Sequence, residues 1–425
     1  MSFFVTIVSC FLGCIIIMSK GEKRFFTFMI SLLFISSSVV IINKPYVSSH
    51  TFFVICFLLS LLNYRQLNSI RRIPFFKMMV FYFISLIVVN INSSFIPLTN
   101  GVYKSIMLFL ETMMPMVIGY FSGISVSNIN KRIYTPLLCI LLYGFFTYIF
   151  KSDPYQHLLF DDYLEPFHDS YLFGTRMRMS STWSHPIAYG LICSCFFILL
   201  WNKWRENYVK LLLFLLILSV FLCGSRTAIF SIIVMFVIFA HFASNISSSA
   251  ILGFLPVVIV LYIPVISDNI QSVLDIFLLS ESDAVNGSSL VMRQSQLDSV
   301  LFLVKEFPIF GGGIGYITDY MKFGTEMSFS SEFLGFESYL FILLIERGFF
   351  GTIVEVVFIV YIIRYFLKNR KYEPLSSSIG LSLFIGFYVF AFATSPLDTS
   401  IILMFFVGAC INDIEIKKNK RLISI

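Results

Sequence analysis

The chain has 425 residues, of which 58% are hydrophobic and only 13% charged, and it carries a net charge of +6. A soluble domain is about a quarter charged, so this composition excludes one and describes a chain whose apolar surface is covered by lipid. The basic excess is scattered over short segments between apolar runs, which reads as membrane topology and not as nucleic-acid binding.

A helix crosses a hydrocarbon core of about 30 Å with roughly 20 apolar residues. The apolar runs are long and continuous, without the alternation of a membrane β-barrel, so they predict helices. The first run, Phe3 to Met18, is followed by Lys20, Lys23 and Arg24. A signal peptide has its charges before the run, so this one reads as a retained span. The expected spans are 3–18, 25–42, 47–62, 75–91, 102–121, 133–150, 186–201, 208–223, 227–242, 250–266, 337–366, 377–393 and 397–411. The short run from 47 is alternatively re-entrant, and the one from 337 is expected to break near Gly348 and Gly351. The fold class is therefore all-α, a single polytopic membrane domain over 1–425 with about 12–13 spans. All eight cysteines lie in or at the ends of apolar runs, which predicts neither a disulfide framework nor a structural zinc. Cys193 and Cys195 read as small buried hydrophobes.

With the N-terminus outside, nineteen of the thirty basic residues fall on inner segments and eight on outer ones, which fixes the orientation by the positive-inside rule. Loops 151–185 and 267–336 are then outside, and they have room for chemistry. The first contains "DDYLEPFHDSYLFGTRMRMSSTWSHP". Asp161, Asp162, Glu165, His168 and Asp169 invite a metal reading, but Pro166 interrupts any helix that would align them, and no metal site is expected. Arg176 and Arg178 add positive charge at the mouth. His185 stands before Pro186 at a helix start, where Ser184 can cap; an acid–base role is the alternative.

Arg226, in "CGSRTAIF", sits between two apolar runs, where a charge is costly. It either snorkels to the interface or holds an anion with its donor fork. In "MRQSQLDSVLFLVKEFPIFGGGIGY" the residues Leu297, Val300, Leu301 and Val304 recur with helical spacing. They predict a surface helix that begins near Arg293 and is ended by Pro308. The glycines after it let the backbone turn tightly, but no strand precedes them, so they are not a phosphate-binding fingerprint. "GFESYLFILLIERGFFG" puts Glu337 at the mouth of a span, where the helix dipole favours a carboxylate. Deeper in that span Glu346 and Arg347 are adjacent, do not face each other, and are expected to find partners on other helices.

These motifs, in this order, resemble the O-antigen polymerase and O-antigen ligase superfamily of bacterial polysaccharide assembly. The resemblance rests on "SHPIAYG", "GSRTAIFSIIV", the Arg293 to Tyr316 stretch and "ESYLFILLIERGFFG", and covers roughly residues 180–366. It implies a bacterial inner-membrane glycosyltransferase facing the periplasm, with no cofactor and no essential metal. The donor is a glycan on undecaprenyl pyrophosphate. Arg226 and Arg293 match family arginines that engage the pyrophosphate. At the position of Glu337 ligases carry histidine, a departure that favours a polymerase. The catalytic residues implied are Glu337, Arg226 and Arg293, gathered at the outer face. Arg176, Arg178, His185, Tyr339 and Glu332 are expected to bind substrate. Lipid-linked oligosaccharides and membrane lipid are the expected partners, with room for a chain-length regulator protein. A lipid-linked oligosaccharide flippase is the reading from another class, but it would place its charges in a central cavity between two similar halves, and no internal repeat is visible.

The orientation predicts that single cysteines in 155–183 and 268–336 react with an impermeant thiol reagent once the outer barrier is permeabilised. Shielding until the inner membrane is broken would reverse the topology.

Overall fold

The computed structural model describes residues 3–36, 39–42, 46–64, 70–126, 131–151, 153–155, 172–173, 176–183, 185–243, 288–320, 336, 338–394 and 399–423. Among the described residues the α-helices are α1 (Phe3–Met18), α2 (Gly21–Phe34), α3 (Ser49–Asn63), α4 (Phe76–Ile91), α5 (Leu98–Thr112), α6 (Met114–Phe121), α7 (Tyr134–Phe150), α8 (Pro186–Trp201), α9 (Asn207–Leu222), α10 (Arg226–Phe242), α11 (Ser288–Glu306), α12 (Tyr339–Asn369), α13 (Pro374–Thr394) and α14 (Ser400–Ile423). Two antiparallel pairs are added, β1 (Val40–Ile42) with β2 (Val47–Ser48) and β3 (Leu172–Phe173) with β4 (Arg176–Met177).

Every expected span contains helix except 250–266, which lies outside the described residues. Among the described residues three stretches, Leu98–Phe121, Tyr339–Asn369 and Pro374–Thr394, are long and apolar enough to cross a membrane, and seven further apolar helices have 10–17 residues. Two of the departures from the expected spans have a visible reason. The run 25–42 leaves the helix at Phe34, because side chains from elsewhere take the carbonyls at that end. Thr182 Oγ1 donates to Leu33 O at 2.7 Å, Ser49 Oγ to Ser36 O at 2.7 Å, and the His50 ring bonds Ile35 O at 2.9 Å. The run 102–121 is interrupted at Met113, between α5 and α6. Pro115 has no N–H to give the Glu111 carbonyl one turn back, and Ser400 Oγ donates to that carbonyl instead, at 3.0 Å.

The chain forms two compact units. The first comprises Met1–Phe81, Ile106–Ala243 and Phe358–Ile425. Here α8 is buried almost all round, from Tyr189 to Leu200, as a helix apolar on every face must be. It packs on α9 and α10, while α13 packs on α10 and α14. Small buried residues on α13 (Ser376, Ser377, Ser378, Ser382) allow this close approach. Large apolar side chains such as Phe4, Phe11, Phe150, Phe214 and Phe230 stay exposed, a surface suited to lipid and not to water. The eight cysteines are free thiols, and Cys193 and Cys195 are buried as expected.

The second unit comprises Tyr82–Ser105 and Ser244–Val357. Its core joins Ile96, Val300, Leu303, Tyr316, Ile317, Phe336 and Ile345. The apolar stripe expected on α11 is divided. Val300 and Val304 face this core together with Leu303, whereas Leu297 and Leu301 are exposed. A helix with apolar residues on two faces can bury only one against its own unit.

Among the described residues of the first unit, α6 crosses α14 in close backbone contact. A Cβ at Gly119 would fall on the Phe405 carbonyl, and one at Gly408 on the Met116 carbonyl. Gly408→Ala should therefore lower the thermal midpoint in detergent, and Gly408→Leu should leave little folded protein, as overpacking costs about 1–3 kcal/mol or more. Wild-type melting of the leucine variant would mean that these backbones do not meet.

Candidate functional site

In the second unit the site is organised by a broken helix. At Gly348 the backbone of α12 leaves the helical region, with φ 59° and ψ −164°, a conformation open to glycine and strained for other residues. This is the break that the sequence suggested near Gly348. It strips the carbonyls before it and the N–H groups after it of helical partners. Residues 308–313 supply new ones. Gly312 N–H donates to Ile345 O at 2.8 Å and Gly313 N–H to Glu346 O at 2.9 Å, while Phe349 and Phe350 N–H donate to Pro308 O and Ile309 O, both at 2.9 Å. Such pairing of backbone on backbone leaves no room for a side chain. A Cβ on Gly311 would lie 2.6 Å from the backbone of Glu346, Arg347 and Gly348.

The rest of the segment is held from α4 and α5. Asn90 Oδ1 accepts the Ile314 N–H at 2.9 Å, and its amide donates to Leu86 O, Gly101 O and Ser105 Oγ. Ser93 Oγ donates to Gly312 O. Tyr316 N–H returns to Gly313 O, and the Glu346 carboxylate takes the Ile317 N–H at 3.4 Å and that of Gly315. The successive N–H groups from Gly311 to Ile317 are thus spent inside the protein. The segment is a backbone brace and not an anion cradle, in line with the missing phosphate-binding fingerprint.

Arg347 is 4% exposed and lies in a polar cluster. Its Nη1 meets Glu355 Oε2 at 3.2 Å and Tyr82 Oη at 3.0 Å, and its Nη2 donates to Tyr339 Oη at 3.4 Å. Tyr82 Oη in turn donates to Glu355 Oε2 at 2.8 Å. The expectation that Arg347 finds its partners on other helices holds for Tyr82 on α4 and fails for the rest. The compensating carboxylate, Glu355, and Tyr339 both lie on α12 itself, eight residues to either side. Glu346 and Arg347 do diverge as expected, one to the 315–317 turn and the other to this cluster. Tyr339, expected to touch substrate, is 2% exposed and committed to Arg347.

In the first unit, three of the sequence-predicted residues lie where α8, α9 and α10 meet. His185 caps α8, its Nδ1 accepting the Ile187 N–H at 3.2 Å. It takes the place expected of Ser184, which lies outside the described residues. Ser225 caps α10 by accepting the Ala228 N–H at 3.2 Å, and Arg226 is the exposed first residue of that helix. Arg178 donates from Nε to Cys223 O at 2.9 Å and from Nη2 to Gly224 O at 3.3 Å. Its guanidinium closes the carboxyl end of α9 beside Arg226, and burial pulls its pKa below the usual arginine value. A cation near a helix carboxyl end is favoured by the dipole, as is an anion near an amino end. Arg178 meets a structural need there, and Arg226 is exposed where an anion would be welcome.

Arg176 lies in β4 and Arg293 in α11, whereas Glu337 and Glu332 lie outside the described residues. Sequence reasoning missed Asn90, Ser93 and also Lys104, whose Nζ donates to Thr318 Oγ1 at 2.6 Å. Asn90 and Ser93 look like ordinary polar residues at the end of a span. Lys104 was visible only as a basic residue inside one. Among the described residues no three His, Cys, Asp or Glu side chains gather to hold a metal.

The fold is that of a helical membrane protein with ionisable groups buried in its helices. Residues 211–356 match the family model described as O-antigen ligase. This stretch runs from α9 to α12 and takes in Arg226, Arg293, the glycine segment and Arg347 with its partners Tyr339 and Glu355. Over that stretch the chain matches the O-antigen polymerase and ligase superfamily, whose members are glycosyltransferase-like membrane enzymes. No curated protein matches the chain.

Removing one member of the Arg347–Glu355 pair strands a buried charge, at a cost of about 3–5 kcal/mol. Glu355→Leu should therefore lower the thermal midpoint sharply, and adding Arg347→Met should recover most of the loss. Equal melting of the single and double variants would show that the two charges do not compensate each other.

Proposed function

We propose that the protein is a polysaccharide polymerase of the bacterial inner membrane, working at the periplasmic face. It transfers the growing O-antigen or capsular glycan from undecaprenyl pyrophosphate to the next lipid-linked repeat unit. The observation that carries this reading is the family match over 211–356, which contains both Arg226 and Arg293. An acceptor hydroxyl attacks the anomeric carbon, the bond to pyrophosphate breaks, and undecaprenyl pyrophosphate leaves. Arg226 and Arg293 stabilise the charge that grows on the leaving group, and the Glu337 carboxylate takes the hydroxyl proton. Arg176, His185 and Glu332 contribute to substrate binding, while Tyr339 and Arg178 support the site indirectly, through Arg347 and through the carboxyl end of α9, and the sugar donor is used without a metal.

The second reading is a ligase that transfers the finished glycan to the lipid A core. The description of the matching family as O-antigen ligase favours it, and glutamate in place of histidine at position 337 speaks against it. The flippase reading gains no support from the match.

Deletion of the gene separates these readings in a lipopolysaccharide gel. A polymerase predicts core bearing one repeat unit, whereas bare core points to a ligase or flippase. Arg226→Lys and Arg293→Lys keep charge and lose the bidentate fork, so each should cut polymer about tenfold or more at unchanged protein level. Glu337→Gln should abolish polymer. Normal ladders from Arg226→Ala and Arg293→Ala would sink the pyrophosphate assignment.

A further inference from the structure

Lys104 lies in α5, six residues past its start at Leu98, in the second unit. An ionisable side chain on a membrane helix is rare and marks a candidate functional position. This lysine is threaded past the glycine segment. A Cβ on Gly315 would fall on its side chain, 2.5 Å from Nζ, and Gly315 has φ +91°. The absent side chain at 315 is what lets the lysine through. Its ammonium donates to a neutral hydroxyl, Thr318 Oγ1, at 2.6 Å. Glu346, buried beneath the same turn, binds the backbone of Gly315 and Ile317 and acts on Lys104 through its charge.

We propose that Lys104 is a further binding residue for the pyrophosphate of the lipid-linked donor, with Thr318 steering its ammonium; this rests on the glycosyl-transfer reading above. An ammonium has three donors, so Lys104 can keep Thr318 while taking an anionic oxygen. The glycine brace fixes where the ammonium stands. Its own N–H groups are occupied, so the charge at this point of the segment comes from the lysine. Glu346 opposes an anion here, and it also supplies the competing explanation, that Lys104 serves only to neutralise it.

The test separates the two by removing both charges. Purified protein is titrated with farnesyl pyrophosphate, with inorganic pyrophosphate and farnesol as controls, and binding and melting temperature are measured. Wild type should bind farnesyl pyrophosphate more tightly than either control. Lys104→Met should weaken binding about tenfold or more, as expected for one charged hydrogen bond, and Lys104→Arg should bind nearly as wild type. The Lys104→Met, Glu346→Gln double variant should stay weak while melting like wild type. Restored binding in the double variant would reduce Lys104 to a counter-charge and overturn the proposal, as would unchanged binding in both. Should Lys104→Met melt early, Lys104→Gln with Glu346→Gln gives the same comparison. Inorganic pyrophosphate binding as tightly as the farnesyl ester would overturn the lipid-linked assignment. No binding by wild type would instead remove the pyrophosphate-donor reading itself.

Discussion

A backbone that leaves the helix inside a membrane helix must find other partners for its polar groups, because lipid offers none. That constraint governs the second unit. Gly348 opens α12, and residues 308–313 close the opening with four backbone hydrogen bonds. The closure requires glycines on both sides of the contact, because a methyl group at 311 would sit on the α12 backbone. It also ties the end of α11 to a fixed level of α12. Asn90 and Ser93 then anchor the same segment to α4, so α11, α12 and the 93–105 region share one rigid seam.

The buried charges follow from that seam. The break turns Arg347 toward Tyr82 and Glu355 and leaves Glu346 under the 315–317 turn. Arg347 is neutralised within hydrogen-bond distance and surrounded by two phenols, an arrangement that holds two parts of α12 in register across the break. Arg226 differs in kind. It is exposed at the first turn of a capped helix, beside Arg178, whose fork is already spent on the carbonyls of Cys223 and Gly224. A satisfied arginine stabilises a fold, whereas an exposed one leaves its donor fork at the surface.

The proposed glycosyl transfer from a lipid pyrophosphate would ask little covalent chemistry of the protein. The leaving group is good once its charge is held, and the acceptor needs only to lose a proton. Positive groups of fixed position therefore matter more than a nucleophile. A brace of backbone hydrogen bonds is one way to fix such positions in a segment that is not itself a helix.

The sequence by itself determined the helices. Continuous apolar runs favour helix whatever packs around them, and each expected span among the described residues contains one. It also located the break at Gly348, since glycine in a long apolar helix weakens it locally, and the stop of α11 at Pro308. Only the tertiary structure decided the rest. The purpose of the glycines at 311–315 depends on α12, some thirty residues further on. The partner of Arg347 lies on its own helix only because that helix is broken. The end of α2 at Phe34 depends on Ser49, His50 and Thr182, and the stripe of α11 divides because one unit covers one face. Periodicity reports how a segment meets an apolar surrounding. It carries no information on which distant carbonyl, hydroxyl or carboxylate will satisfy a given polar group, and that pairing is set by contact in three dimensions.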